Sequence, residues 1–156
     1  MPSYITPKGH LKLVQEFERL LKEERPMVTR EVAYAASLGD RSENAEYIYG
    51  KKRLRQIDKR LGYLKSRLEG IQVVDPAEMG GPVVRFGAHV TVEDENEQEH
   101  VYQIVGEDEV NIEEGLLSYE APIGKALVGK EEGDEVVIKT PGGTRTLTIV
   151  AVSWEA

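Results

Sequence analysis

Two carboxylates three residues apart, Asp40 and Glu43, stand in the stretch "SLGDRSENAEY" (residues 37–47) beside Gly39 and Asn44. Residues of these types at this spacing serve one of two purposes. In the first, Asp40 or Ser42 caps the N-terminus of a helix, Glu43 reaches back as its capping-box partner, and Gly39 ends the preceding helix. In the second, the pair offers hard oxygen ligands to a divalent cation. Mg²⁺ suits such a pair, because it commonly takes one or two carboxylates and leaves its other positions to water and phosphate. Two carboxylates make an incomplete site, which would need another macromolecule to supply the remaining ligands. Capping is the commoner use of D-x-x-E at a helix start, and the spacing alone leaves both readings open.

The second candidate is the run "GKKRLRQIDKRLGYLKSR", residues 50–67. At 100° per residue, Lys51, Lys52, Arg55 and Lys59 project away from the leucine positions of the same helix, and Arg53, Arg60 and Arg67 lie along one flank. Residues 51–60 hold six bases and one acid. That is denser than solubility requires, and acidic partners at i,i+4 are nearly absent. A phosphate backbone is the natural counter-surface. No aromatic residue interleaves on that face, so base stacking is not expected there.

Other chemistries find little support. His10, His89 and His100 lack ligand spacing, and Ser37, Ser42 and Ser66 have no neighbouring histidine to activate them. "VGKEEGDEV" and "TPGGT" do not follow the strand–GxxxxGK[ST]–helix order of a phosphate loop. With no cysteine in the chain, disulfides and thiolate metal sites are excluded.

The elements that must position these groups are legible from periodicity. Leu54, Ile57, Leu61, Leu64, Leu68 and Ile71 step by three and four, as in the seam of an antiparallel helical hairpin. Upstream, Val14, Phe17, Leu21, Val28, Val32 and Ala35 answer them, with a slip in register near Glu24 and a kink expected at Pro26. Thr6 and Pro7 make an N-cap and N1 pair for the first helix. The loop joining the helices is short enough to force antiparallel packing. "VVDPAEMGGP" (residues 73–82) then breaks the chain. Beyond it the period is two, through Val84, Phe86, Ala88, Val90 and Val92, with "PGG" as a hairpin turn and one short helix around "APIGKALVG". The expected fold class is α+β, with a coiled-coil arm over 1–74 and a small α+β domain with an antiparallel sheet over 75–156.

Charge divides at the same break. The chain of 156 residues carries a formal −8, made of +4 over residues 1–75 and −12 over 76–156. A nucleic-acid partner is therefore compatible with the N-terminal half alone. No run approaches the ~18 apolar residues of a membrane span, and the N-terminus lacks the pattern of a secretory signal. A soluble, cytoplasmic protein is expected.

The stretch "AASLGDRSENAEYIYGKKRLRQIDKRLGYL" resembles the Gre family of bacterial transcript-cleavage factors, in its GreB branch. "YITPKGHLKL", "KEERP", "FGAHVTV", "IVGEDE", "APIGKALVGKEEGDEVVIKTPGG" and the closing V-x-S-W resemble the same family, so the likeness covers essentially the whole chain. The resemblance implies a coiled-coil arm that enters the secondary channel of a backtracked RNA polymerase. It places the family's two tip acids on Asp40 and Glu43, where they help to hold a Mg²⁺ at the polymerase's own active site. The chain would then be a cofactor and not an enzyme. The basic face of Lys51, Lys52, Arg53, Arg55, Lys59 and Arg60 is similar to the branch's basic patch, implied to hold the extruded RNA 3′ segment. The C-terminal domain is implied to be FKBP-like and to dock on the polymerase at the channel rim, with Pro122 and Ile123 as contact candidates. The protein is implied to act as a monomer. Prolyl isomerase activity does not follow, because Phe86, Tyr102, Tyr119 and Trp154 are thin material for an aromatic proline pocket. A channel-binding inhibitor on the same scaffold is the alternative, and a cleavage assay on backtracked complexes separates the two. Gly50, inside the second helix, has no explanation in the sequence.

Overall fold

A computed structural model of the chain describes residues 3–39 and 44–155. The chain forms two compact units, one of Leu11–Gly70 and one that joins the first ten residues to Ile71–Ala156.

The first unit is a helical hairpin. One side is a continuous helix made of α1 (Pro7–Arg19), a π turn (Leu20–Glu24) and α2 (Arg25–Ser37); the other is α3 (Ala45–Gly70), 26 residues or about 39 Å long. Cross-helix partners run in opposite order along the two sides: Asn44 with Ala35, Arg53 with Glu24, Arg60 with Glu16. The sides are therefore antiparallel. Gly50, Ile57 and Leu64 are the buried positions of α3 and recur every seven residues, as a coiled coil demands. Leu13 and Leu20, then Val28 and Ala35, are buried opposite, seven apart within each pair and eight between them. The π turn absorbs that extra residue: the Arg25 N–H reaches the Leu20 carbonyl, one residue further back than in an α-helix. The turn sits just before Pro26, whose missing N–H and ring make a regular turn costly. The kink expected at Pro26 is thus resolved as a widened turn in an unbroken helix. It also corrects the seam. Leu13 and Leu20 are the buried pair, while Leu21 is 44% exposed.

The same packing explains Gly50. A Cβ there would lie 2.5 Å from Val32 Cγ2 on the facing helix. Valine is stiff at χ1 and cannot swing aside cheaply. Gly50→Ala gains ~1 kcal/mol of helix propensity but incurs an overpacking cost of ~1–3 kcal/mol. Its helical signal is expected to melt at lower urea than that of the parent, and adding Val32→Ala should recover most of the loss. A Gly50→Ala variant more stable than the parent would refute the close-approach argument.

The second unit is built on a five-stranded sheet of order β5-β4-β3-β7-β6, from β3 (His89–Glu93), β4 (Glu99–Val105), β5 (Leu116–Ser118), β6 (Glu135–Thr140) and β7 (Gly143–Ser153). It is antiparallel from β4 through β6, but the edge strand β5 runs parallel to β4, which the sequence did not suggest. Val90, Val92, Val136, Ile138, Leu147 and Ile149 face a core closed by Leu127 of the short helix α4 (Pro122–Leu127). A second, two-stranded sheet pairs β1 (Ser3–Ile5) in parallel with β2 (Ile71–Val73). Through it the residues on either side of the hairpin join the C-terminal unit, so the compact units divide at Leu11 and Gly70 instead of at 74/75. Ile71, expected in the leucine seam, lies in that sheet.

Thr6 caps α1 as expected, its hydroxyl accepting the Gly9 N–H at 3.2 Å. The Glu109 carboxylate locks the cap, accepting the Thr6 hydroxyl, the Thr6 N–H (3.0 Å) and the Gly106 N–H (3.0 Å). Glycine at position 9 leaves room for this, since a Cβ there would run into the Glu109 side chain and displace it from the clasp. Two motifs a hundred residues apart, "YITPKGH" and "IVGEDE", thus meet in one polar clasp.

Candidate functional site

Asp40, Arg41, Ser42 and Glu43 lie outside the described residues, so the site is approached from its flanks. On the upstream side α2 ends at Ser37, Leu38 donates to the Ala35 carbonyl at 3.2 Å, and Gly39 adopts φ +138°. That conformation is why a glycine follows the helix. On the downstream side Asn44 Oδ1 accepts the Tyr47 N–H at 3.1 Å, and Asn44 Nδ2 donates to the Ala35 carbonyl at 2.6 Å. Asn44 is therefore the cap of α3, and it also ties the start of that helix to the end of α2. The residues of the capping reading, Asp40, Ser42 and Glu43, lie outside the described residues.

The basic run sorts into two groups. Lys51, Lys52, Arg55 and Lys59 are exposed and make no ion pair among the described residues. Arg53 and Arg60, grouped with them by the family resemblance, lie on the flank that the helical period gives them and face the other helix. Arg53 pairs with Glu24, and Arg60 holds Glu16 with two bonds of 2.6 and 2.8 Å while lying 5.1 Å from the Tyr63 ring centroid. The Arg60 bond holds the Glu16 carboxyl below its ordinary value. On the opposite flank Asp58, the one acid of the run, is bridged by Arg25 at 2.7 and 3.3 Å, which lowers its carboxyl pKa as well. Cross-helix pairing thus removes two cations and the only anion from the outer face. What remains is a strip of four cations, suited to phosphates in solvent-accessible contact.

In the second unit, Pro122 is exposed at the start of α4, whereas Ile123 is half-buried against the sheet core. Next to them lies a largely apolar groove of about 640 Å³, lined by Tyr4, Met79, Phe86, Tyr119, Lys125 and Val128 among others. Tyr4, Phe86 and Tyr119 form a triangle with ring centroids 5.5–5.9 Å apart. Burial, with Glu120 beside it, raises the Tyr119 phenol above its ordinary value. The expectation of too few aromatics for a lined pocket is corrected here, because the N-terminal strand contributes Tyr4. Of the histidines, His100 pairs with Asp94 at 3.0 Å. Among the described residues no group of three or more potential ligands could hold a metal, and no helix is long and apolar enough to cross a membrane.

Family models match the two halves of the chain: transcription elongation factor, N-terminal, over residues 3–73, and transcription elongation factor, GreA/GreB, C-term, over residues 79–154. The chain belongs to the GreA/GreB family of transcription elongation factors. It is 48% identical over 153 residues to transcription elongation factor GreB of Haemophilus influenzae, covering 98% of this chain and 97% of that one. It is 46% identical over 152 residues to GreB of Yersinia pestis, covering 97% and 89%. These likenesses place it in the GreB branch. Among solved structures, the GreA factor homolog 1 protein of Thermus thermophilus aligns over 98% of this chain and 99% of its own, at 26% identity and a TM-score of 0.45.

Within this GreA/GreB-family chain, sequence reasoning missed Asn44 as the cap and Tyr4 as a groove residue. The first was within reach, since an asparagine immediately before a helical run is a standard N-cap signal. The second was not, because nothing local to "PSYIT" announces a parallel pairing with residues 71–73.

Proposed function

We propose that this chain is a transcription elongation factor that binds RNA polymerase and stimulates the polymerase's own cleavage of backtracked nascent RNA, rescuing arrested complexes. The observation that carries this is near full-length identity of 46–48% to proteins named GreB. In this reading the helical hairpin enters the polymerase's secondary channel, and Asp40 and Glu43 join in holding a Mg²⁺ at the polymerase active site. The donor set fits the ion, as two hard oxygen ligands are what Mg²⁺ takes from a protein while other partners fill the rest. Asn44 supplies a cap to α3 from outside the pair. When bound, the ion would activate a water and stabilise charge developing on the phosphodiester.

The chain's own residues do the positioning. Asn44 and Gly39 set the ends of the two helices between which the carboxylates are carried. Lys51, Lys52, Arg55 and Lys59 offer a strip for the phosphates of the extruded RNA 3′ segment. Arg53 and Arg60 serve the hairpin's rigidity through Glu24 and Glu16. Docking of the second unit is assigned to the exposed Pro122 face of α4 and the adjoining groove. The channel-binding inhibitor is disfavoured, because its action would leave the carboxylate pair without a task.

Purified protein added to RNA polymerase complexes stalled in a backtracked register is expected to release short 3′ RNA fragments and restore elongation. Free RNA should stay intact with or without Mg²⁺, since two carboxylates are too few to build the site alone. Slowed elongation without cleavage would overturn the proposal in favour of the inhibitor.

A further inference from the structure

Two tyrosine rings near the end of the hairpin have no evident structural use. Tyr34 of α2 is 66% exposed and Tyr49 of α3 is 71% exposed. Both line one open pocket of about 380 Å³, together with Glu31, Ala45, Glu46 and the buried Gly50. No ring contact joins the two tyrosines to each other or to another aromatic among the described residues. Bulky apolar rings left bare on a charged hairpin mark a surface awaiting a partner. The close approach of the helices at Gly50 and Val32 brings the two sides together there.

We infer that this pocket receives a nucleobase of single-stranded RNA, stacked on Tyr34 or Tyr49. The inference rests on the function proposed above, and the neighbouring charge argues for it. Lys52 follows Tyr49 by one helical turn on α3 and belongs, with Lys51, Arg55 and Lys59, to the strip of cations that make no ion pair among the described residues. A strand whose phosphates run along that strip would bring a base to the tyrosines. A cationic groove combined with aromatic platforms is the arrangement by which single strands are held without strict sequence preference. The carboxylates of Glu31 and Glu46 at the pocket accept hydrogen bonds and cannot donate them. They can accept from the exocyclic amino or ring N–H groups of a base. An apolar protein surface is the other class of occupant, and the experiment distinguishes it.

Stalled, backtracked polymerase complexes are assembled with a photo-crosslinking base analogue at successive positions of the extruded RNA, and the full-length protein is added. One position is expected to crosslink to the peptide carrying Tyr34 or Tyr49. Replacing both by Ala should lower that yield by about tenfold, and Phe at both positions should preserve it. Crosslinks confined to the lysine strip, or a yield unchanged by the Ala pair, would overturn the inference. So would a loss of affinity by the Ala pair for complexes that extrude no RNA, because the rings would then be packing on protein. The crosslink requires no cleavage, so a crosslink without stimulated cleavage would sink only the proposed function. Stimulated cleavage without the crosslink would sink only this inference.

Discussion

Asp40→Asn and Glu43→Gln are each expected to abolish stimulated cleavage, by on the order of a hundredfold or more, while polymerase binding stays close to that of the parent protein. Each substitution nearly preserves size and hydrogen-bonding capacity and removes only the negative charge that draws Mg²⁺. The position of Asn44 makes the test clean. That residue, which caps α3 and joins it to the Ala35 carbonyl, is untouched by either substitution. Thermal melting should therefore be unchanged within error. Raising Mg²⁺ or adding Mn²⁺ should restore part of the activity by mass action. Fragment release from stalled complexes, measured beside competition binding to polymerase, gives both readings. Full activity of both variants at ordinary Mg²⁺ would remove the ligand assignment, and equal loss of binding and cleavage would indicate a docking role for the hairpin end instead.

Reversing charge along the outer strip, as Lys52→Glu with Arg55→Glu and Lys59→Glu, should impair rescue of deeply backtracked complexes far more than shallow ones. A long extruded RNA would pass the strip, and a short one would barely reach it. On single strands each phosphate contact contributes about 0.7 to the slope of log affinity against log salt, so losing three should flatten that slope by roughly 2. Raising salt on the parent protein should mimic the defect. Arg53 and Arg60 supply the contrast. Since they are engaged with Glu24 and Glu16, neutralising them should loosen the hairpin and affect both kinds of complex alike. Equal loss on shallow and deep complexes from the outer-strip variant would show that those cations serve folding or docking and not the extruded strand.

Much of this arrangement is legible in the chain because it is local. The period of α3, the alternation of β3 and β7, the proline–glycine punctuation near residue 80 and the Thr6–Pro7 start of α1 depend only on neighbours in sequence. Adjacent apolar residues are harder to rank. Leu13 with Val14, and Leu20 with Leu21, each offer two helical faces. Which of them is buried is decided by the partner helix and by the π turn that shifts phase between Leu20 and Val28. The division of the basic run is legible in part: the helical period puts Lys52 outside and Arg53 on a flank, and the position of Glu24 on the facing helix decides that Arg53 is engaged there.

The sequence by itself determined the α+β class, the helical hairpin, the carboxylate pair, the cationic stretch and the family, because residue type and spacing along one element carry that information. Tertiary structure alone decided that Gly50 is a packing necessity against Val32, that Asn44 ties the start of α3 to the Ala35 carbonyl of the facing helix, and that Tyr4 joins Phe86 and Tyr119 in a groove. Each of these depends on an approach between residues distant in the chain. Such contacts arise from steric fit and hydrogen-bond completion in three dimensions, and they leave no periodic trace in either partner's own segment.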